Sequence, residues 1–198
     1  MKFFRSSPAL LALLLAPASL LSAQAASPWS VRLAATYLQT VDGTTNKAVQ
    51  VDIEDKLIPE FDVGYAFNRH WSAELVLTVP QEHTVKVNGS QAGTFKHLPP
   101  TLLAKYTFDP IGNFTPYIGA GVNFTLIFDD ELGAAKLDNY SVGPAGQVGF
   151  DYKLNEHWSL NADVKKMVLR TDVTAGGTKL TEARLDPWLY SVGLRYQF

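Results

Sequence analysis

The segment WLYSVGLRYQF, residues 188–198, places an apolar or aromatic side chain at every second position. The residues of this face are Trp188, Tyr190, Val192, Leu194, Tyr196 and Phe198. The positions between them are polar or small, except for Leu189. A period of two residues is typical of a β-strand with one apolar and one polar face. The segment therefore predicts a strand, and the rest of the chain must show what its apolar face contacts.

The same alternation recurs along the chain, in segments joined by connectors of two different lengths. The further predicted strands are residues 28–37, 57–67, 71–79, 101–108, 114–128, 140–152 and 158–169. Short turns are expected at 68–70, 109–113 and 153–157, and long polar loops at 38–56, 80–98, 129–139 and 170–186. These strands suit the ~9–11 residues that a tilted membrane-spanning strand needs, whereas no apolar run after residue 26 reaches the ~18 residues of a membrane helix.

These patterns predict an all-β fold: an eight-stranded antiparallel up-and-down transmembrane β-barrel with short periplasmic turns and long extracellular loops. The apolar face would contact lipid, and the last strand would close against the first because hydrocarbon does not tolerate an unpaired strand edge. Tryptophan favours the membrane interface, so Trp29, Trp71 and Trp158 are expected in the periplasmic aromatic girdle and Trp188 in the opposite one.

The beginning of the chain has the features of a secretory signal. Lys2 and Arg5 precede an apolar stretch at residues 8–21, which is followed by the small residues SAQAAS. We expect cleavage after Ala25, with Ala26 as the alternative. The expected organisation is thus a signal peptide at 1–25 and one barrel domain at 26–198, exported from the cytoplasm.

Composition excludes several classes of function. The chain has no cysteine, which rules out disulfides, thiolate metal sites and cysteine nucleophiles. Its formal net charge of -2 is too small to indicate a nucleic-acid partner. His83 and His97 are fourteen residues apart, which is not a recognised metal-ligand spacing. With no nucleophile elbow or phosphate loop either, the sequence predicts no catalytic residue, no metal site and no cofactor.

The strand directions place a set of charged side chains inside the barrel, in its middle and periplasmic part. A barrel of about eight strands is just wide enough for side chains to fill, so these charges would occlude the lumen. Buried charges need partners, which favours an ion-pair network, here called the charged plug, over a proton relay or polar conduit. The residues of the charged plug are Arg32, Glu60, Asp62, Glu74, Lys105, Asp151, Asp163, Lys165 and Arg195.

Apolar residues also point inward, but nearer the extracellular ends of the strands. They are Ile58, Val76, Leu103, Ile127, Met167, Leu169 and Leu189. An apolar mouth above a charged plug suits a pocket for a small hydrophobic molecule, a ligand funnel; ordinary packing between barrel and loops is the alternative. Prolines within strands remove ladder donors and so are candidates for a lateral opening in the wall, although bulges or strand ends also explain them. These prolines are Pro59, Pro100, Pro116 and Pro144.

Several longer stretches resemble the OmpW family of outer membrane proteins, which includes the alkane-uptake protein AlkL as a relative. The resemblance covers nearly the whole mature chain, in the stretches IEDKLIPEFDVGYAF, AELVLTVPQEH, GTFKHLPPTLLAKYTF, PYIGAGVNFT, VGFDYKLNEHWSLNADVKK and LDPWLYSVGLRYQF. It implies an eight-stranded barrel of the Gram-negative outer membrane with a narrow hydrophobic funnel, passive entry of small hydrophobic molecules and lateral release through the wall. The terminal Phe198 resembles the signal that the barrel-assembly machinery recognises.

Three functional hypotheses follow. The first is a barrel for passive uptake of small hydrophobic molecules, in contact with outer-membrane lipid and lipopolysaccharide; a narrow ion-conducting channel is its polar variant. The second is a structural or interaction barrel whose long loops bind partners. The third is a lipid-modifying membrane enzyme that would use His83 or His97 at the outer surface, and it lacks a persuasive partner residue in the sequence.

Overall fold

The alternating segments form the strands of a closed barrel. The computed structural model describes residues 27–40, 43–44, 51–53, 55–87, 90–131, 135–175 and 178–198, so the expected signal peptide lies outside the described residues. The barrel strands are β1 (Trp29–Gln39), β4 (Lys56–Ala66), β5 (Trp71–Thr78), β8 (Thr101–Thr107), β9 (Phe114–Glu131), β11 (Tyr140–Lys153), β12 (Trp158–Met167) and β15 (Trp188–Gln197).

All neighbouring barrel strands are antiparallel, in the order β1, β4, β5, β8, β9, β11, β12, β15. The barrel closes where β1 pairs with β15, from Ser30 opposite Gln197 to Gln39 opposite Trp188. The predicted eight-stranded up-and-down barrel is therefore confirmed. No helix among the described residues is long and apolar enough to cross a membrane.

The two faces of the wall differ as the alternation predicted. Large apolar side chains remain exposed on the outside of every barrel strand, for example Leu33, Leu57, Leu102, Val148 and Val192. The inward positions between them are buried and mostly polar or charged. An exterior this apolar is stable only against lipid, because water would not cover so much hydrocarbon without cost.

Four stretches expected to be long loops contain further strands. These are β2 (Gly43–Thr44), β3 (Val51–Ile53), β6 (Gln81–Val87), β7 (Ser90–Leu98), β10 (Ala135–Leu137), β13 (Arg170–Ala175) and β14 (Thr178–Arg184). Hairpin β6–β7 pairs with β3 and β9 and extends the wall, and β13–β14 forms a second small sheet with β10 and β2. The sequence did not indicate these strands because their apolar and polar residues do not alternate over stretches as long as those of the barrel strands.

The short turns carry a motif that occurs twice. In each copy an asparagine, Asn68 or Asn155, accepts hydrogen bonds through Oδ1 from the backbone N–H groups two and three residues later. The Nδ1 atom of His70 lies 2.9 Å from the carbonyl oxygen of Thr107, and that of His157 lies 2.9 Å from the carbonyl oxygen of Gln197. Each histidine thus joins its hairpin to the next strand at the short-turn rim.

Candidate functional site

The lumen is occluded at mid-height by buried ion pairs centred on Arg32. Its guanidinium contacts carboxylates on two other strands: Glu60 and Asp62 on β4, and Asp163 on β12, the last at 2.5 Å. Lys165 Nζ lies 2.7 Å from Glu60 Oε1 and 2.6 Å from Asp163 Oδ1. We call these five residues the upper cluster, and their side chains are at most 1% exposed.

A second group of ion pairs, the lower cluster, lies toward the short turns. It consists of Glu74, Lys105, Asp151 and Arg195. Glu74 Oε2 accepts from Lys105 at 3.1 Å and from Arg195 at 2.8 Å, and Arg195 Nε donates to Asp151 at 3.1 Å. A polar cavity of about 190 Å³ adjoins this cluster at the short-turn end. The structure thus brings all nine residues expected in the charged plug together, as two clusters.

Neutral side chains that the sequence analysis did not single out connect the two clusters. Asn161 accepts from Arg32 and donates to Asp151 at 2.7 Å and to Tyr117 Oη at 2.9 Å. Tyr117 Oη donates to Asp163 at 3.3 Å, and its ring lies 4.3 Å from Lys105 Nζ. Continuing the alternation from Thr115 to Gly119 would have placed Tyr117 in the lumen.

A glycine makes room for this packing. Gly149 on β11 faces Asp163 on β12. A Cβ atom at this position would lie 2.5 Å from Asp163 Cβ and 2.7 Å from Tyr117 Oη. Because real Cβ atoms do not approach so closely, the position requires glycine if the plug is to keep its geometry.

Apolar side chains fill the lumen on the long-loop side of the plug. All seven residues predicted to form a ligand funnel are buried there, at no more than 5% exposure. Four of them, Val76, Leu103, Met167 and Leu189, pack together with Ala145, and we call these five residues the gate layer. A molecule entering from the loops would have to displace this layer. Met167, with its flexible side chain, is the member best able to move.

The barrel wall is interrupted beside the gate layer. Strand β4 pairs with β5 only as far as Glu60 opposite Thr78, and the ladder resumes at Ile53 opposite Val85. On the other side, β5 pairs with β8 as far as Val76 opposite Thr101, and the ladder resumes at Gln81 opposite His97. Within the described chain, Val79–Pro80 therefore has no strand partner on either side. We call this interruption the wall gap.

The predicted proline positions relate differently to the wall gap. Pro59 lies on the edge of β4 that faces it, and Pro100 follows Pro99 on its opposite border. Pro116 and Pro144 lie within the continuous β9–β11 ladder, and their carbonyl oxygens accept backbone hydrogen bonds from Phe108 and Val168. The wall is therefore closed at Pro116 and Pro144. Pro80, at the centre of the gap, was missed because it falls in a predicted loop.

The two histidines considered for catalysis lie on the β6–β7 hairpin. His97 is buried at 3% exposure, with its ring 5.9 Å from that of Phe95. The side chain of His83 lies outside the described residues.

A closed antiparallel barrel with an apolar exterior and an occluded, charged interior defines a class, the small outer-membrane β-barrels. The model of the OmpW family matches residues 24–198, and the chain belongs to this family. Its location is therefore the outer membrane of a Gram-negative bacterium, as predicted.

Comparisons with individual proteins agree with this placement. The chain is 39% identical over 196 residues to a relative from Sinorhizobium fredii named outer-membrane protein y4mB, covering 92% of this chain and 85% of the relative. It is 31% identical over 190 residues to the dibenzothiophene metabolism operon protein PahQ of Pseudomonas aeruginosa, covering 87% of this chain and 89% of the relative. The crystal structure of the outer membrane protein OprG from Pseudomonas aeruginosa superposes with a TM-score of 0.76 at 28% identity, covering 87% and 97%.

Proposed function

We propose that this barrel admits small hydrophobic molecules passively, through the gate layer and then sideways through the wall gap into the membrane. One observation carries the proposal. Glu60, a residue of the charged plug, forms the last β4–β5 rung with Thr78, and the wall gap begins at the next residue of β4, Pro59. A molecule that reached the plug would thus stop beside the interruption in the wall.

The outer surface next to the gap is also suited to an apolar molecule. A shallow apolar groove of about 620 Å³ runs over β12, β15, β1 and β4. Leu57, Ile58 and Pro59 line this groove and also form the unpaired edge of β4. A molecule leaving through the gap would exchange the gate layer for a second apolar surface without crossing water.

The charged plug supports lateral release over passage straight through. An apolar molecule would have to separate buried ion pairs to reach the periplasmic side, and an unpaired buried charge is costly. The dibenzothiophene operon in the name of the relative PahQ suggests the substrate class, small and apolar. No covalent chemistry is part of this proposal.

Flux in liposomes tests the proposed uptake. The protein is reconstituted, and transfer of a small alkane-like probe is compared with the conductance of a small ion. We expect faster hydrophobic transfer than in protein-free liposomes, without added conductance. Conductance without hydrophobic transfer would instead make the lumen a narrow polar channel and refute the proposal.

A substitution in the gate layer tests the route. Leu189 belongs to this layer and is 1% exposed. Leu189→Asp would place a carboxylate in the path, so hydrophobic transfer should fall several-fold, and the volume-conserving control Leu189→Met should retain it. Equal transfer by both variants, with both barrels folded, would exclude the gate layer from the route.

The wall gap can be closed chemically because the chain has no cysteine of its own. In a double variant with Pro59→Cys and Val79→Cys, a short bifunctional thiol-reactive reagent would link the two cysteines across the gap. The matched control is Val148→Cys with Val164→Cys, a pair within the intact β11–β12 ladder. Cross-linking across the gap should slow hydrophobic transfer, whereas cross-linking the control pair should leave transfer unchanged. Unchanged transfer across a bridged gap would refute lateral release while leaving uptake intact.

We also propose that the barrel-assembly machinery recognises Phe198 and that the barrel contacts lipopolysaccharide. Phe198 stands half exposed at the closing seam, where its N–H donates to the carbonyl oxygen of Trp29 at 3.1 Å. We expect Phe198→Ala to lower the yield of assembled barrel in cells. Phe108→Ala, which removes another exposed rim aromatic, serves as the control.

A further inference from the structure

The charged plug consists of two groups of ion pairs, and among the described residues no salt bridge joins one group to the other. Among the described residues, the ion pairs of the upper cluster join Arg32 and Lys165 only to Glu60, Asp62 and Asp163. Those of the lower cluster join Lys105 and Arg195 only to Glu74 and Asp151. The connections between them pass through the neutral side chains of Asn161 and Tyr117. The nine residues together have five carboxyl groups and four cations, so the plug as a whole has one carboxyl group in excess.

The two clusters differ in their charge balance. The lower cluster has two carboxyl groups and two cations, and it adjoins the polar cavity. The upper cluster has three carboxyl groups and two cations, and its side chains are at most 1% exposed. Fully ionised, it would hold one uncompensated negative charge away from water, which is strongly unfavourable.

The same cluster contains two oxygen atoms without a hydrogen-bond donor. Among the described residues, Asp62 Oδ1 and Glu60 Oε2 are buried and have no hydrogen-bond partner. The other oxygen of each carboxyl group, Asp62 Oδ2 and Glu60 Oε1, accepts from Nε and Nη2 of the same Arg32 guanidinium. The two residues are also two positions apart on one face of β4, so their side chains are neighbours. Buried acceptors without a donor are rare in folded proteins.

We propose that the upper cluster is a proton-binding site, in which one proton is held between Asp62 and Glu60. The protonated carboxyl group donates to the free oxygen of its neighbour. A single proton thereby removes the excess charge and satisfies both oxygens. A metal ion does not fit, because calcium and magnesium need six or more oxygen ligands and the remaining carboxylate oxygens already accept from Arg32, Lys165 and Tyr117.

The donors around each carboxyl group assign the proton to Asp62. Within the part of the chain that the structure describes, Asp62 accepts from Arg32 alone, whereas Glu60 accepts from Arg32 and Lys165, and Asp163 accepts from both and from Tyr117. Donors that carry positive charge stabilise the ionised form, so the carboxyl group with the fewest of them keeps the proton. The charged groups acting on Asp62 come from several strands: Arg32 on β1, Glu60 on β4, Glu74 on β5 and Lys165 on β12.

Infrared spectroscopy of the reconstituted barrel tests the proposal directly. At pH 7 the wild type should show the carbonyl stretch of one protonated carboxyl group per chain. Asp62→Asn should lose this band, and Asp151→Asn, in the balanced lower cluster, should keep it. No band in the wild type, or a band that survives Asp62→Asn, would overturn the proposal. Stability that depends on a particular metal cation in place of the band would overturn it too.

Unfolding equilibria give a second, independent measurement. Asparagine at position 62 keeps an acceptor for Arg32 and supplies a donor for Glu60, as the protonated carboxyl group does. Asp62→Asn should therefore change the unfolding constant by no more than about threefold, whereas Asp163→Asn should raise it at least about tenfold. Equal losses for the two variants would contradict the assignment to Asp62.

Discussion

Replacing Arg32 by methionine tests whether the charged plug is held by one buried cation. The guanidinium contacts three carboxyl groups and is fully buried. Its removal would leave Lys165 as the only cation among Glu60, Asp62 and Asp163. Removing one partner from a buried ion pair typically costs ~3–5 kcal/mol, because the remaining charge stays buried without compensation. We expect Arg32→Met to lower the free energy of unfolding by an amount in this range at pH 7.

The assay is reversible urea unfolding of the barrel in lipid vesicles, followed by its mobility on unheated gels and by tryptophan fluorescence. Arg69→Met is the matched control, since Arg69 pairs with Asp109 at 3.0 Å with both side chains at least 70% exposed. Such an exposed pair should contribute less than about 1 kcal/mol.

A compensated variant separates loss of charge balance from loss of packing. Adding Glu60→Gln and Asp62→Asn to Arg32→Met leaves Asp163 and Lys165 as a balanced pair. At least half of the lost stability should return, because neutral groups can replace a buried ionic cluster with little cost. If Arg32→Met cost no more than Arg69→Met, or the compensated variant recovered nothing, the account of the plug as an obligatory ion-pair network would be wrong.

Three further substitutions test the packing of the lumen and the rim by the same unfolding assay. Gly149→Ala should cost ~1–3 kcal/mol, because the new Cβ would lie 2.5 Å from Asp163 Cβ; the neighbouring Gly146, whose Cβ would meet only an atom 3.8 Å away, should accept alanine. Tyr117→Phe should cost about 1 kcal/mol through the hydrogen bonds to Asp163 and Asn161, and no loss would mean that water replaces the hydroxyl. His157→Phe keeps the ring on Tyr196 but loses the contact with the Gln197 carbonyl, so amide exchange at Gln197 and Phe198 should accelerate, while His70→Phe should leave these two amides unchanged.

The sequence predicted the barrel wall because residues that face lipid and residues that face the lumen alternate along every barrel strand. Alternation assigned Arg32 to the lumen and Leu33 to lipid, and the burial of both agrees. The same alternation could not identify the partners of Arg32. Asp62 is on the neighbouring strand, but Asp163 and Asn161 are on β12, which is separated from β1 by β15. Contacts across a closed lumen depend on barrel curvature and side-chain length, which no local pattern contains.

The wall gap could not be predicted from the sequence, for a different reason. Its position depends on where two ladders stop and resume, and both resume on β6, which lies in a stretch predicted to be a loop. A proline in a strand pattern shows that one hydrogen-bond donor is absent, but not whether the adjacent ladder is interrupted there. Pro144 illustrates this, because the β9–β11 ladder continues past it and its carbonyl oxygen accepts from Val168 at 3.0 Å.

An opening within a membrane wall must also account for the backbone groups that it leaves unpaired, since hydrocarbon offers them no partner. Pro59, Pro80, Pro99 and Pro100 around the wall gap have no N–H group, so the gap begins with fewer donors to satisfy. Side chains bind carbonyl groups there: Gln81 Nε2 donates to Val79 at 2.9 Å and Asn123 Nδ2 to Pro99 at 3.3 Å. Lys56 Nζ donates across the gap to the carbonyl oxygen of Glu82. A frayed strand end would not combine absent donors with dedicated side-chain partners, so this combination supports the proposed lateral opening next to the plug.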